Sequence, residues 1–441
     1  MQAENAPSSA SATPKRTLTL FDTTCIIVGI IIGVGVYQNA PIIARGAGSA
    51  WGLLALWLVG GIVSLCGALG YAELASAFPK EGGDYVYLSR AFGRWAGFLF
   101  GWMQLAVVRP GDIAVMAFAF AMYASAIYDP LAGSAPVRTQ QLYSVLAVSV
   151  LTAINMVGVT QGKWTQNLLV VAKIIGMLII VGVAIVAPRA NVTISSVEPF
   201  PLEVALIMVL FAYGGWNEMA YVAAEVKDSD RNIVRTLIFG TVAVIVLYLL
   251  INSAFLFALG YAGVANSKAI ATDVVAVAFP GIAENLISAL ICISALGAVN
   301  GLIFTGARIS FAVGKDHRAF RKLGTWNERT GTPVIALAVQ GALAVVLVLL
   351  LGSFVETVLY TATIVYLFYL ATSLSVIVLR WREPGVRRPY RVTGYPVTTL
   401  VFCAVCAFLI YGAVQYRPLL SAVAVGIMLL GLPLYWLRRD Q

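Results

Sequence analysis

Four ionisable side chains, Arg109, Asp112, Lys173 and Glu218, stand inside otherwise apolar stretches, and their spacing limits the chemistry open to them. Arg109 and Asp112 are three residues apart on one helical face, close enough to form a structural ion pair. Direct contact with a bound molecule is the other use of that pair. Pro110 between them is expected to kink its helix. Lys173 is central in "LLVVAKIIGMLII", where a membrane-buried charge costs about 3 kcal/mol or more unless it is paired or hydrated. Glu218 either carries a proton or faces a wet vestibule. Glu73, Glu225 and Arg308 lie nearer an inner surface and read as gate or loop-tethering charges. Nothing here is arranged for catalysis, because no carboxylate pair stands at ligand spacing and the one histidine, His317, reads as a solvated residue of a basic loop. Cys403 and Cys406 are one helical turn apart and read as small apolar fillers. The expectation is a protein that is not an enzyme, with no cofactor and no metal site.

The main chain offers a second kind of chemistry. In "GIIIGVGVYQNAP" an apolar helix carries Gly33 and Gly35 at its centre, and in "LIMVLFAYGGWNEMAYVAAEV" Gly214 and Gly215 hold the middle. Close packing against a neighbour would explain either case alone. Their matching places, each opening one half of the chain, favour two interrupted helices facing a binding site. A break in lipid strands backbone groups at several kcal/mol each, so it persists only where it lines an enclosed or wet cavity. The amides of Val34, Gly35 and Val36 then suit a carboxylate. Carbonyls near Ile31 and Phe211 suit an ammonium group. Donors beside acceptors fit a zwitterion, the backbone of an α-amino acid. Asn217, just after the second break, is counted with this site.

These groups need helices to hold them. The 441 residues are 60% hydrophobic and 11% charged, with a mean hydropathy of +0.89, which points to an all-α polytopic membrane protein. Apolar runs predict about twelve transmembrane helices, at 22–44, 51–78, 95–127, 140–158, 165–187, 202–224, 233–260, 282–313, 333–351, 354–380, 395–415 and 418–437. Residues 1–19 form a cytoplasmic tail, expected to be disordered, whose first part is too polar for a signal peptide. Of the 29 Lys and Arg, five fall in outward segments (Arg45, Arg138, Arg189, Lys268, Arg417) and two within spans (Arg109, Lys173); the remaining 22 lie on the inner side. That asymmetry places both termini in the cytoplasm. It also accounts for the net charge of +9 without a nucleic-acid partner. All five cysteines fall in predicted spans, which argues against a disulfide framework.

Several separated stretches resemble one family, the amino acid-polyamine-organocation superfamily, and within it the L-type (light-chain) amino-acid transporters. "FAYGGWNEMAYVAAEVKDSDRN" is similar to the family's sixth helix and its exit, "SLCGALGYAELASAFPKEGGDYVYL" to its second helix, and "SALGAVNGLIFTGARISFAVGKD" to its eighth. Arg109-Pro110 resembles the basic residue and proline pair of the third helix, and Lys173 falls on the lysine of the fifth. The resemblance implies a leucine-transporter-like fold of 5+5 inverted repeats, here 20–190 and 200–381, with helices 1 and 6 broken and two helices added over 392–437.

By the same resemblance Gly33, Val34 and Gly35 hold the substrate carboxylate, and the carbonyls of Ile31, Phe211 and Gly214 hold its amine. Phe211 is also the aromatic gate above the site. Where the family has a hydroxyl residue between the glycines this chain has Val34, which removes a side-chain hydrogen bond and leaves the amides intact. Lys173 is expected where sodium-coupled relatives bind an ion, donating to carbonyls near Gly29 and to Ser294 and so making transport sodium-independent; a purely structural tether is the other reading. Thr363 and Tyr366, expected opposite Gly214, are neutral, which favours neutral amino acids. The loop Tyr128 to Gln140 lacks the cysteine that joins an ancillary glycoprotein in eukaryotic light chains, so no disulfide-linked subunit is expected. "NVT" at Asn191 reads as a chance match to a glycan acceptor. The leading expectation is a secondary transporter exchanging neutral amino acids across the cell membrane, with a proton-coupled symporter of the same fold as the alternative.

Overall fold

The computed structural model describes residues 16–437 except 81, 132–135, 187–196, 268, 280, 282, 318–319 and 351–353. The tail to Pro14, Asn191 and part of the Tyr128 to Gln140 loop lie outside the described residues. Among the described residues the chain is helical throughout, with only isolated bridges such as Leu18 to Val226. Ten segments are long and apolar enough to cross a membrane, and Leu202–Ala212 and Val334–Leu350 are shorter apolar helices.

The first half runs α1 Leu20–Ile31, α2 Gly35–Gln38, α3 Ala40–Ala47, α4 Ala50–Ala77, α5 Asp84–Phe92, α6 Arg94–Met103, α7 Arg109–Ile127, α8 Pro136–Val157 and α9 Val159–Val186. The second runs α10 Leu202–Ala212, α11 Glu218–Tyr221, α12 Ser229–Asn266, α13 Ile270–Ala278, α14 Ala283–Asp316, α15 Val334–Leu350 and α16 Phe354–Arg382, followed by α17 Val397–Tyr416 and α18 Pro418–Leu437. The short helices α5 and α13 lie in stretches where the apolar pattern predicts no span.

Local chemistry sets the ends that matter. Thr19 caps α1 through a reciprocal box with Asp22: the hydroxyl accepts the Asp22 amide at 3.2 Å and the Asp22 carboxylate accepts the Thr19 amide at 3.0 Å. Pro110 does not act as a simple kink. A π-helical turn, Gln104–Val108, joins α6 to α7 immediately before it. Proline removes one helical donor and its ring crowds the preceding turn, and widening that turn relieves both.

Packing brings the pieces together around α1, which lies against α9, α12 and α14, while α7 runs along α14 and α10 packs on α3 and α4. At the end of the bundle rich in Lys and Arg, charges tie the loops. Arg308 donates to both oxygens of Glu225 at 2.6 and 3.1 Å. Glu73 accepts from Arg380 Nε at 2.9 Å and from the Val392 amide at 2.7 Å, with Arg388 Nε 3.4 Å away. These are the tethers expected for Glu73, Glu225 and Arg308. His317 is not a free surface residue: its ring sits edge-on to Phe98 at 4.9 Å, and the Tyr85 hydroxyl is 3.2 Å from its Nε2.

Candidate functional site

Two helices stop mid-course beside one another. α1 ends at Ile31 and α2 starts at Gly35; α10 ends at Ala212 and α11 starts at Glu218. Gly215 sits where they meet, with φ +112, and a Cβ there would lie 2.6 Å from Ile30 Cγ2 and 3.3 Å from the Ile31 amide nitrogen. Only glycine combines that backbone conformation with so close an approach. The two breaks share one cavity of about 840 Å³, counting the open space at its mouth, walled by Ile31, Gly33, Gly35, Phe211, Gly214, Asn217, Glu218 and Tyr366 among others.

The breaks leave polar groups with definite fates. The amides of Val34, Gly35 and Val36 take no backbone acceptor among the described residues, and Gly35 lies on the cavity wall. The Gly214 carbonyl accepts no bond there either. Ile31 O accepts the Gly33 amide at 2.8 Å. The Tyr248 hydroxyl of α12 reaches both Ile31 O at 2.8 Å and Ala212 O at 3.0 Å. Its single proton serves one carbonyl at a time, which leaves an acceptor at the end of one or the other broken helix.

Lys173 is wholly buried on α9. Its ammonium donates to Gly29 O at 2.7 Å and to Ile32 O. The Ser294 hydroxyl lies 3.4 Å from both Ile32 O and Gly33 O. Lysine and serine therefore meet at the Ile32 carbonyl, from α9 and α14, instead of bonding to each other, and each serves one further carbonyl of the break, Gly29 O and Gly33 O. A fixed positive charge thus fills the space behind the first break and satisfies carbonyls that a continuous helix would have paired.

This geometry can be set beside known proteins. The family described as Amino acid permease matches residues 18–432. The chain is 31% identical to the large neutral amino acids transporter small subunit 2 of Mus musculus, across 99% of this chain and 83% of that protein. It is 30% identical to the Asc-type amino acid transporter 1 of Homo sapiens, covering 96% and 82%. Against the b(0,+)-type amino acid transporter 1 of Rattus norvegicus the figures are 29%, 98% and 91%. The chain belongs to the amino acid permease family. The permease is thus a multi-pass membrane protein of that fold, and its relatives are light-chain transporters, as the sequence motifs indicate.

Several expected roles need correction. Arg109 of the permease pairs with Glu218, not with Asp112: its guanidinium donates to Glu218 Oε1 at 2.9 Å, both side chains being buried, and Thr305 donates to the other carboxylate oxygen. The three-residue spacing is right for a pair, but Arg109 is long enough to cross to α11, where Glu218 begins a helix beside it. Asp112 instead lines the cavity. Thr363 does not: its hydroxyl is 2.8 Å from that of Ser421 on α18. On α16 the cavity face is Thr361, Ala362, Val365, Tyr366 and Tyr369, the 3.6-residue rhythm from which position 363 is turned away. The Gly33 amide, expected on a carboxylate, is spent on Ile31 O, and the Val34 side chain is buried behind the wall.

Other residues escaped the sequence reading. Tyr248 and Met116 sit in apolar runs without any motif; Met116 presses on the first break, its Cε 3.3 Å from where a Gly33 Cβ would be. Asn217 is held from two sides, accepting from Tyr369 at 2.9 Å and donating to Tyr221 at 3.2 Å. The chain of hydroxyls continues through Tyr221 to Asp84 of α5 at 2.7 Å, with Thr372 also donating to Asp84 at 2.6 Å. Burial lifts the Asp84 carboxyl, at the start of α5 outside the spans, above the ordinary carboxylate range, and these donors offset that only in part.

Proposed function

We propose that the permease moves neutral L-amino acids across the cytoplasmic membrane by alternating access, as a sodium-independent exchanger. The observation that carries this reading is the single cavity walled by both helix breaks, with an unengaged amide at Gly35 and an unengaged carbonyl at Gly214. A carboxylate matches the first and an ammonium the second, so the guest is a zwitterion. The names of the relatives, large neutral amino acids transporter and Asc-type amino acid transporter, agree with that class. Residues 20–190 and 200–381 serve as inverted halves rocking about this fixed site, with 392–437 added outside them. Both termini lie on the cytoplasmic side, following the positive-inside distribution.

Lys173 supports sodium independence. Its ammonium holds Gly29 and Ile32 carbonyls that would otherwise be available to a coupling cation. The exchanger works without a disulfide-linked partner, although one of the relatives named above is a small subunit. All five cysteines are free and none is exposed, which supports this reading.

Counterflow into proteoliposomes preloaded with single amino acids tests this reading. Neutral amino acids inside should accelerate uptake of labelled neutral amino acids outside, unchanged when choline replaces sodium. Dependence on sodium, or uptake indifferent to internal load, contradicts it. The alternative, proton symport, draws on Asp112, a carboxylate facing the cavity; it requires concentrative uptake driven by a pH gradient into empty vesicles.

A further inference from the structure

The cavity holds one more acid than its bases neutralise. Arg109 and Glu218 cancel each other in a buried pair. Asp112, three residues along α7 from Arg109, forms no hydrogen bond or ion pair within 4 Å among the described residues, and it lines the cavity half-buried. A carboxyl group there, with no hydrogen-bond donor from the protein among the described residues, is open to a donor supplied by something that enters the cavity.

Its position says which part of the guest that is. Met116, one turn further along the same face of α7, touches the first break at Gly33. Asp112 is therefore displaced from Met116 by about 6 Å along the helix axis, toward the level of Arg109. The acceptors suited to an α-ammonium group lie at the breaks themselves, at Gly214 and at whichever carbonyl Tyr248 releases. The cavity wall that Asp112 and the breaks share carries the apolar side chains of Met116, Leu302, Ala362 and Val365 together with the hydroxyl-bearing Thr361, Tyr366 and Tyr369.

We propose that Asp112 is a specificity-determining residue, accepting a hydrogen bond from a donor at the end of the guest's side chain. The substrates it selects are neutral amino acids ending in a carboxamide or hydroxyl group, in preference to aliphatic ones of equal length. The proposal rests on the transport reading above. A site that holds a carboxylate for a donor rejects the analogue lacking that donor more strongly than an apolar wall rejects one extra polar atom.

The test is competition counterflow in proteoliposomes with side-chain pairs of matched size: glutamine against methionine, threonine against valine, and glutamate as the repelled case. The wild-type protein is expected to prefer the donor-bearing member by about tenfold or more and to exclude glutamate. Asp112→Leu should reverse the preference, and Asp112→Asn should admit glutamate. Because each readout is a ratio between substrates on one protein, a loss of folded material leaves it unmoved. If Asp112→Leu lowers all substrates equally, the carboxylate serves the α-ammonium group or the fold, and the proposal is overturned. A wild type that exchanges neutral amino acids without preferring the donor-bearing members also overturns it. Absence of any amino-acid exchange would instead remove the transport reading on which it stands.

Discussion

The two helix breaks solve one problem by opposite means. At the first, α1 stops without any left-handed residue, and help comes from outside: Lys173 of α9 and Ser294 of α14 reach in to satisfy the Gly29, Ile32 and Gly33 carbonyls. At the second, the chain largely helps itself. Gly214 donates to Phe211 O at 3.0 Å, Gly215 takes φ +112 against Ile30, and Asn217 and Glu218 carry polar groups straight out of the turn. A break can thus be stabilised by a cation borrowed from a distant helix or by glycine geometry with local side chains. The first arrangement leaves its amides free, and the second leaves a carbonyl.

The largest effect should come from removing the borrowed cation. Lys173→Ala deletes two charge-assisted hydrogen bonds, each worth about 1.5–3 kcal/mol, and strands the carbonyls they served. Exchange should fall below detection while the second break is untouched, and a proteoliposome assay on folded, monodisperse protein checks it. Activity close to wild type would mean that the first break holds itself.

Next is the ion pair beside the second break. Arg109→Met leaves the Glu218 charge buried without its partner, a loss of about 3–5 kcal/mol, whereas removing both charges in an Arg109→Met, Glu218→Met protein should recover most of it. Thermal unfolding in detergent, read as a double-mutant cycle, gives the coupling. Additive losses would show that the two charges do not act as a pair.

Gly215→Ala should cost about 1–3 kcal/mol from its disfavoured backbone conformation alone, and the contact with Ile30 adds to that. The companion Gly214→Ala is expected to cost less, since its Cβ would meet only the Phe211 carbonyl at 3.1 Å. Unfolding midpoints of the two variants rank them. Equal losses would say that the crossing with α1 is not the tight point.

The smallest effect distinguishes the faces of α16. Thr363→Val removes the contact with Ser421 and should lower stability by about 1 kcal/mol, with substrate preference unchanged. Thr361, on the cavity face, should alter preference when replaced by Val. Apparent affinities for a panel of amino acids separate the two, and a shifted preference in Thr363→Val would put the wrong face toward the cavity.

Much of this was open to sequence reasoning because the bilayer makes backbone accounting strict. Apolar length gave the spans to within a few residues for most helices, and glycine pairs in matching spans marked both interruptions. What the sequence could not supply was the partner across space. Arg109 lies three residues from Asp112 and 109 from Glu218, yet the longer separation is the real pair, because α11 starts beside α7 only after the second break turns the chain. The same holds for Tyr248, whose hydroxyl joins the ends of α1 and α10 from the middle of an apolar run. Thr363 shows the other limit: the family resemblance placed α16 near the site, but which of its faces looks inward depends on a rotation set by α17 and α18. The short helices α5 and α13 went unseen because neither has a membrane span's length.

The central claim is that the cavity between the breaks is built for a zwitterion. Counterflow comparing an intact neutral amino acid with its carboxamide and its des-amino acid, all loaded at one concentration, addresses it most directly. Only the intact amino acid should accelerate uptake of label, since each analogue lacks the charge matched to one break. Equal acceleration by either analogue would contradict the claim.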